Sequence, residues 1–209
     1  MFIGHYGVAL AAKRLAPGKS LGWNFIAVQF LDILWAPAVL LGIEHVRIVP
    51  GFMPASPFDF YDYPWTHGLV MAVVWSWFFY RVTKSRLLGM LVFSHWVLDY
   101  FVHGPDLPLF RGGPKVGLGL WNYRAATVGV ESALVIAGLA IYLGATHAKN
   151  AVGRWGMIVL VVLLIVIEIG NVYGPPPPSL KVMAISGEIA FLVFAGVAAW
   201  LDRMREPLS

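Results

Sequence analysis

The sequence predicts an all-α, polytopic membrane helix bundle, and three observations carry that expectation. Of 209 residues, 59% are hydrophobic and only 12% are charged, with 22 glycines besides, and the mean hydropathy is +0.73. A soluble domain of this size exposes too much of its surface to hide so apolar a composition, and disorder needs the opposite balance. Six apolar stretches approach the roughly 20 residues that cross a bilayer core. Zero cysteines exclude a disulfide framework, a thiolate nucleophile and Cys-ligated zinc.

Taken in order, Met1–Ala12 is apolar but short before Lys13-Arg14, which suits a half-inserted helix. Its cations follow the apolar part, the reverse of a signal peptide. Spans are expected at 21–43, 64–81, 86–103, 124–143, 155–172 and 180–201, within one domain covering 1–209. The loop at 44–65 carries Phe52, Met53, Phe58, Phe60, Tyr61, Tyr63 and Trp65. It is too apolar to float in water and should fold onto the membrane surface as a cap, with Trp23, Trp121, Trp155 and Trp200 as an interfacial belt. Eleven of 14 prolines, including Pro175 to Pro178, fall in loops on that same side, as stiff connectors that cannot continue a helix. Ten of 15 Lys and Arg fall in the other set of loops, which should therefore be cytoplasmic, with the C-terminus inside. No basic run with interleaved aromatics exists, so no nucleic-acid partner is expected.

Five of the eleven acids lie inside apolar spans: Asp32, Asp99, Glu131, Glu168 and Glu188. An acid at a helix centre costs about 2.5–3.5 kcal/mol on insertion scales, so each needs a proton, a partner, water or a metal. Lys and Arg occur in these spans only at their ends, at Arg81, Arg86, Arg124 and Lys181, but histidine lies inside. His95, Asp99 and His103 stand at i, i+4 and i+8 on one helix face. That pair of His95 and Asp99 suits a metal ion, or a simple hydrogen bond. Depth favours the metal: at 1.5 Å per residue from the nearest cytoplasmic cation, His5, Asp32, His67, His95 and Asp99 fall within about 10 Å in height. Four segments would then bring ligands to one level. Glu131, on one face with Thr127, reads as a general base or ligand-holding partner, or as a protonated acid bonded to a neighbouring helix. His103 reads as a proton donor or phosphate ligand, or as a plain interfacial histidine. Gly-rich phosphate loops and Gly-x-Ser-x-Gly elbows are absent.

His5, Leu31-Asp32, Trp65-Thr66-His67-Gly68 and Ser94-His95-x3-Asp99 form an ordered pattern. It resembles the bacterial membrane-bound, metal-dependent hydrolases of the YdjM type, across about the first half of the chain. Leu34-Trp35 stands where that family has Asp-His, and Tyr63-Pro64-Trp65 where it has Arg-Gly before Thr-His. Gln29-Phe30-Leu31-Asp32, His103-Gly104-Pro105-Asp106 and Gly174-Pro175-Pro176-Pro177-Pro178-Ser179 also resemble a group of small bacterial integral membrane proteins whose activity is not established. The resemblance implies a bacterial inner-membrane hydrolase with one divalent transition metal, zinc by default or Mn or Fe, held by His5, Asp32, His67, His95 and Asp99. Glu131 and His103 would be its catalytic groups and membrane lipid its surroundings, with a lipid-like substrate near the outer leaflet. A transporter or ion-conducting protein, and a non-catalytic membrane subunit, stand as alternatives.

Overall fold

The computed structural model describes residues 1–208 and is mostly helical. Among the described residues nine α-helices follow in order: α1 Ile3–Ala11, α2 Leu21–Val28, α3 Phe30–Leu40, α4 Pro64–His67, α5 Leu69–Thr83, α6 Arg86–Val102, α7 Arg124–Ala145, α8 Ala151–Tyr173 and α9 Leu180–Arg203. Three of them, α7, α8 and α9, are long and apolar enough to cross a membrane, and α2 with α3 qualifies as one broken span bent by 51°. The fold thus fits a membrane location.

Two expected spans are interrupted. The stretch at 21–43 breaks at Gln29, and the stretch at 64–81 breaks at Gly68, whose extended backbone separates α4 from α5. That leaves α5 and α6 with 15 and 17 residues, shorter than a full crossing. Irregular backbone at such depth is tolerated only where protein or a cavity surrounds it. Here the breaks surround the polar centre.

The short α1 has seven of its nine residues buried and lies along α7. Glycines permit that approach: a Cβ on Gly138 would sit 2.1 Å from the Gly7 carbonyl oxygen, and one on Gly7 would sit 2.4 Å from that of Leu134. Glu131 of α7 caps α1, accepting the Phe2 and Gly4 backbone N–H groups at 2.8 and 3.2 Å. A carboxylate there also complements the helix dipole.

The apolar loop at 44–65 is an antiparallel hairpin, β1 His45–Met53 and β2 Ser56–Asp62. Its exposed edge pairs Arg47 with Asp59 and His45 with Asp62, while Phe60 turns inward against Trp35, Tyr63 and His103. The hairpin tip is tied to the following loop by Ala55 N–H donating to the Trp121 carbonyl. That loop contains a two-residue ladder of β3 Leu107–Pro108 with β4 Lys115–Val116. At the other end of the bundle β5 Thr146–Ala148 pairs with β6 Arg205–Pro207. Buried Arg205 locks that pair, donating to both oxygens of Thr146 and to the Gly153 carbonyl.

Candidate metal centre

Helix ends deliver most of the polar groups. Asp32 lies in the first turn of α3, just past the break at Gln29. His67 ends α4, next to the break at Gly68. His95 and Asp99 lie one turn apart on the buried face of α6, and His103 caps that helix. His5 comes from α1, its ring stacked on that of His95 with centroids 3.9 Å apart. All five residues expected as metal ligands therefore converge.

The distances are those of a ligand set. His67 Nε2 lies 3.3 Å from Asp32 Oδ1 and 3.7 Å from Asp99 Oδ2. His95 Nε2 lies 3.7 and 3.1 Å from the same two oxygens. Zinc bonds of about 2.0–2.1 Å in a tetrahedron put ligand atoms about 3.3 Å apart, close to the two shorter of these separations and below the two longer ones. Ligand atoms of Asp32, His67 and His95 all lie within 4.8 Å of one another, as do those of His5, His95 and Asp99. His5 reaches the other oxygen, its Nε2 3.2 Å from Asp99 Oδ1, where the Met1 amino nitrogen also donates at 2.6 Å.

The tautomers follow from the outer contacts. His95 Nδ1 lies 2.6 Å from the Val28 carbonyl, which can only accept, so Nδ1 carries the proton. His67 Nδ1 lies 2.8 Å from the Thr66 hydroxyl. That hydroxyl spends its own proton on Glu44 Oε2 at 2.6 Å, while Glu44 Oε1 accepts the backbone N–H groups of Trp65 and Thr66. Thr66 therefore accepts from His67. In neutral imidazoles both Nε2 atoms then carry lone pairs, aimed at carboxylate oxygens. A lone pair facing an anion is relieved either by a cation between them or by a proton on Nε2, which makes the pair an ordinary imidazolium–carboxylate contact.

His103 is buried within the protein. Its Nδ1 lies 3.0 Å from Asp106 Oδ1 and 3.2 Å from the Tyr63 hydroxyl, and its Nε2 lies 4.0 Å from Asp99 Oδ2. Asp106 fixes the proton on Nδ1, leaving Nε2 turned toward the centre. Burial pushes the Tyr63 phenol well above its usual pKa, with Asp106 adding to the effect, so it stays neutral.

Glu131 makes no hydrogen bond to a ligand histidine among the described residues. One oxygen caps α1 and the other has no partner. Thr127 donates to the Leu120 and Tyr123 carbonyls instead of meeting Glu131. Glu168 and Asn171 line the same cavity, and Glu188 Oε2 is without a hydrogen-bond partner among the described residues.

A cavity of about 760 Å³ joins these groups. Asp32, His67, Asp99 and His103 line its inner end, the β1–β2 hairpin roofs it, and α8 and α9 form its far wall. That is the size of a site for a lipid-like or drug-sized molecule. The sequence does not show that two acids, Glu44 and Asp106, hold histidines in place. Glu44 and Asp106 lie in loops, where acids are ordinary, and only their buried partners distinguish them. No family model, curated protein or solved structure matches the chain.

Proposed function

We propose that this chain is an intramembrane, metal-dependent hydrolase acting on an amphiphilic, lipid-like substrate near the outer leaflet. The observation that carries the reading is the pair of imidazoles, His67 and His95, whose Nδ1 protons are committed elsewhere and whose Nε2 atoms face Asp32 and Asp99 at 3.1–3.7 Å. Asp32, His67, His95 and Asp99 would hold the ion, with His5 at its flank. Their mixed nitrogen and oxygen donors suit zinc first, then Mn or Fe. A bound zinc ion supplies Lewis acidity and makes water a usable nucleophile near neutral pH.

The chain's own residues do the rest. Thr66 and Glu44 hold the His67 ring in one orientation, as the Val28 carbonyl holds that of His95. His103 takes up or gives a proton at Nε2, steadied by Asp106 on the opposite nitrogen. Glu131, with one free oxygen on the cavity, is the second candidate for proton transfer. The hairpin, with Phe60 inward, limits bulk water. Six crossings, with α5 and α6 short and α1 half-inserted, and a cytoplasmic C-terminus in a bacterial inner membrane complete the reading. The resemblance of His5, Asp32, Thr66-His67 and Ser94-His95-x3-Asp99 to the YdjM-type hydrolases supports it.

Elemental analysis of the purified full chain tests this. About one transition metal per chain is expected, falling below about a tenth in His95→Ala and Asp99→Asn. A metal-free wild type that also fails to take up added zinc would sink the reading.

A further inference from the structure

The two longest helices, α8 and α9, pack together at the Gly156–Leu201 end and leave space near their Gly174–Ser179 connector. Gly170 of α8 and Gly187 of α9 both line the cavity. A Cβ on Gly170 would meet nothing within 4 Å, and one on Gly187 would meet only the Phe191 ring at 3.9 Å. These glycines differ from Gly7 and Gly138, which are pressed against backbone. They leave space where two helices run side by side. The connector from Gly174 to Ser179 carries four consecutive prolines, and an extended proline run of that kind is a stiff spacer. Its Pro175, Pro176 and Pro177 line the cavity as well.

At the rim of this opening stands Arg124, the one Lys or Arg among the residues lining the cavity. Its Nε donates to the Pro54 carbonyl of the hairpin, and its guanidinium carbon lies 5.8 Å from the centre of the Tyr173 ring at the end of α8. No acid pairs with it among the described residues, and its terminal nitrogens make no hydrogen bond there. A guanidinium fixed at one nitrogen and free at the other two is a fork for a phosphate. Arg124 stands seven residues before Glu131 on α7, about 10 Å along the helix.

We propose that the gap between α8 and α9 is a lateral port for an anionic phospholipid, whose phosphate Arg124 holds while its chains lie against the two helices. This rests on the hydrolase reading for what happens at the inner end, but not for binding itself. The test uses the full chain reconstituted into vesicles of equal phosphatidylglycerol and phosphatidylcholine, then extracted into mild detergent. Retained lipid is counted by mass spectrometry and metal by elemental analysis on the same samples.

Arg124→Gln should lower retained phosphatidylglycerol about tenfold, the size of a lost charge-assisted contact, and change phosphatidylcholine far less. Gly187→Trp, and Gly170→Trp from the facing wall, should lower both lipids at least about tenfold while the metal content stays that of the wild type. The proposal is overturned if the wild type retains neither lipid, or if both tryptophan variants retain wild-type amounts. It is also overturned if both lose metal along with lipid, or if Arg124→Gln retains phosphatidylglycerol at the wild-type amount, which marks Arg124 as a brace. Lipid retained without metal removes the hydrolase reading and leaves the port. Metal without retained lipid does the reverse.

Discussion

Two buried carboxylate clusters lie at the two ends of α1, and they solve the same electrostatic problem differently. Past the C-terminal end, Asp202 of α9 receives Lys13 Nζ at 2.6 Å, the Leu21 backbone N–H at 3.1 Å and the Tyr142 hydroxyl at 3.2 Å. The Lys13 ammonium donates again, to the Lys19 carbonyl. Charge and hydrogen bonds are matched within the chain. At the N-terminal end, Asp32 and Asp99 face imidazole lone pairs, and the Met1 amino group meets only Oδ1 of Asp99. In the first cluster one ammonium answers one carboxylate; in the second one ammonium stands against two carboxylates, with three imidazoles beside them.

The largest expected effect breaks the matched cluster. Lys13→Met strands Asp202 as a buried anion and should cost about 3–5 kcal/mol of unfolding free energy, with or without a chelator. Replacing both partners, as Lys13→Met with Asp202→Leu, should recover most of the loss. In metal-free protein Asp32→Asn should cost nothing, since it removes one of two facing anions. Denaturant unfolding in detergent micelles measures all three. If Asp32→Asn in metal-free protein is as damaging as Lys13→Met, the two clusters are not different in kind.

Zinc itself sharpens the contrast. At free zinc about 1,000-fold above its dissociation constant, the wild type should gain about 4 kcal/mol of stability. Lys13→Met should show the same gain from its lower baseline, and His67→Ala little or none. Equal stabilisation of His67→Ala and wild type would mean that zinc binds elsewhere.

How much of this was legible follows from the same contrast. Histidines and acids inside apolar runs are conspicuous because lipid makes them expensive, so His5, Asp32, His67, His95 and Asp99 could be read from residue type and depth. The matched cluster was not legible. Lys13 looks like one more cytoplasmic loop cation, and its partner lies 189 positions away. Lys13 and Arg205, both counted toward cytoplasmic orientation, are in fact buried. Helix breaks at Gln29 and Gly68 were hidden because hydropathy runs on through them. The hairpin left a trace in the alternation of Phe58, Asp59, Phe60 and Tyr61, which the aromatic content obscured. Glu44 became visible only once Thr66 and His67 were seen to lean on it.

That last contact sets a smaller effect. Glu44→Gln keeps the shape but weakens the acceptor that holds the Thr66 proton, and through it the His67 ring. Partners of this sort are worth about 10–100-fold in metal affinity. Competition with a fluorescent zinc chelator would measure it, and an unchanged affinity would make Glu44 a cap for α4 alone.

The smallest expected effect is the mirror of Glu44→Gln at the other end of α1. Tyr142→Phe removes one neutral donor from Asp202 and leaves the Lys13 ammonium and the Leu21 N–H in place. The cost should be about 1 kcal/mol, that of a single hydrogen bond whose acceptor keeps its other partners. Zinc affinity should not change, because the Tyr142 hydroxyl bonds Asp202 and none of the proposed metal ligands. A loss of zinc affinity in Tyr142→Phe would mean that α1 transmits strain between the clusters. The close approach of Gly7 to Gly138 would then be the place to look, since a shift there moves His5 directly.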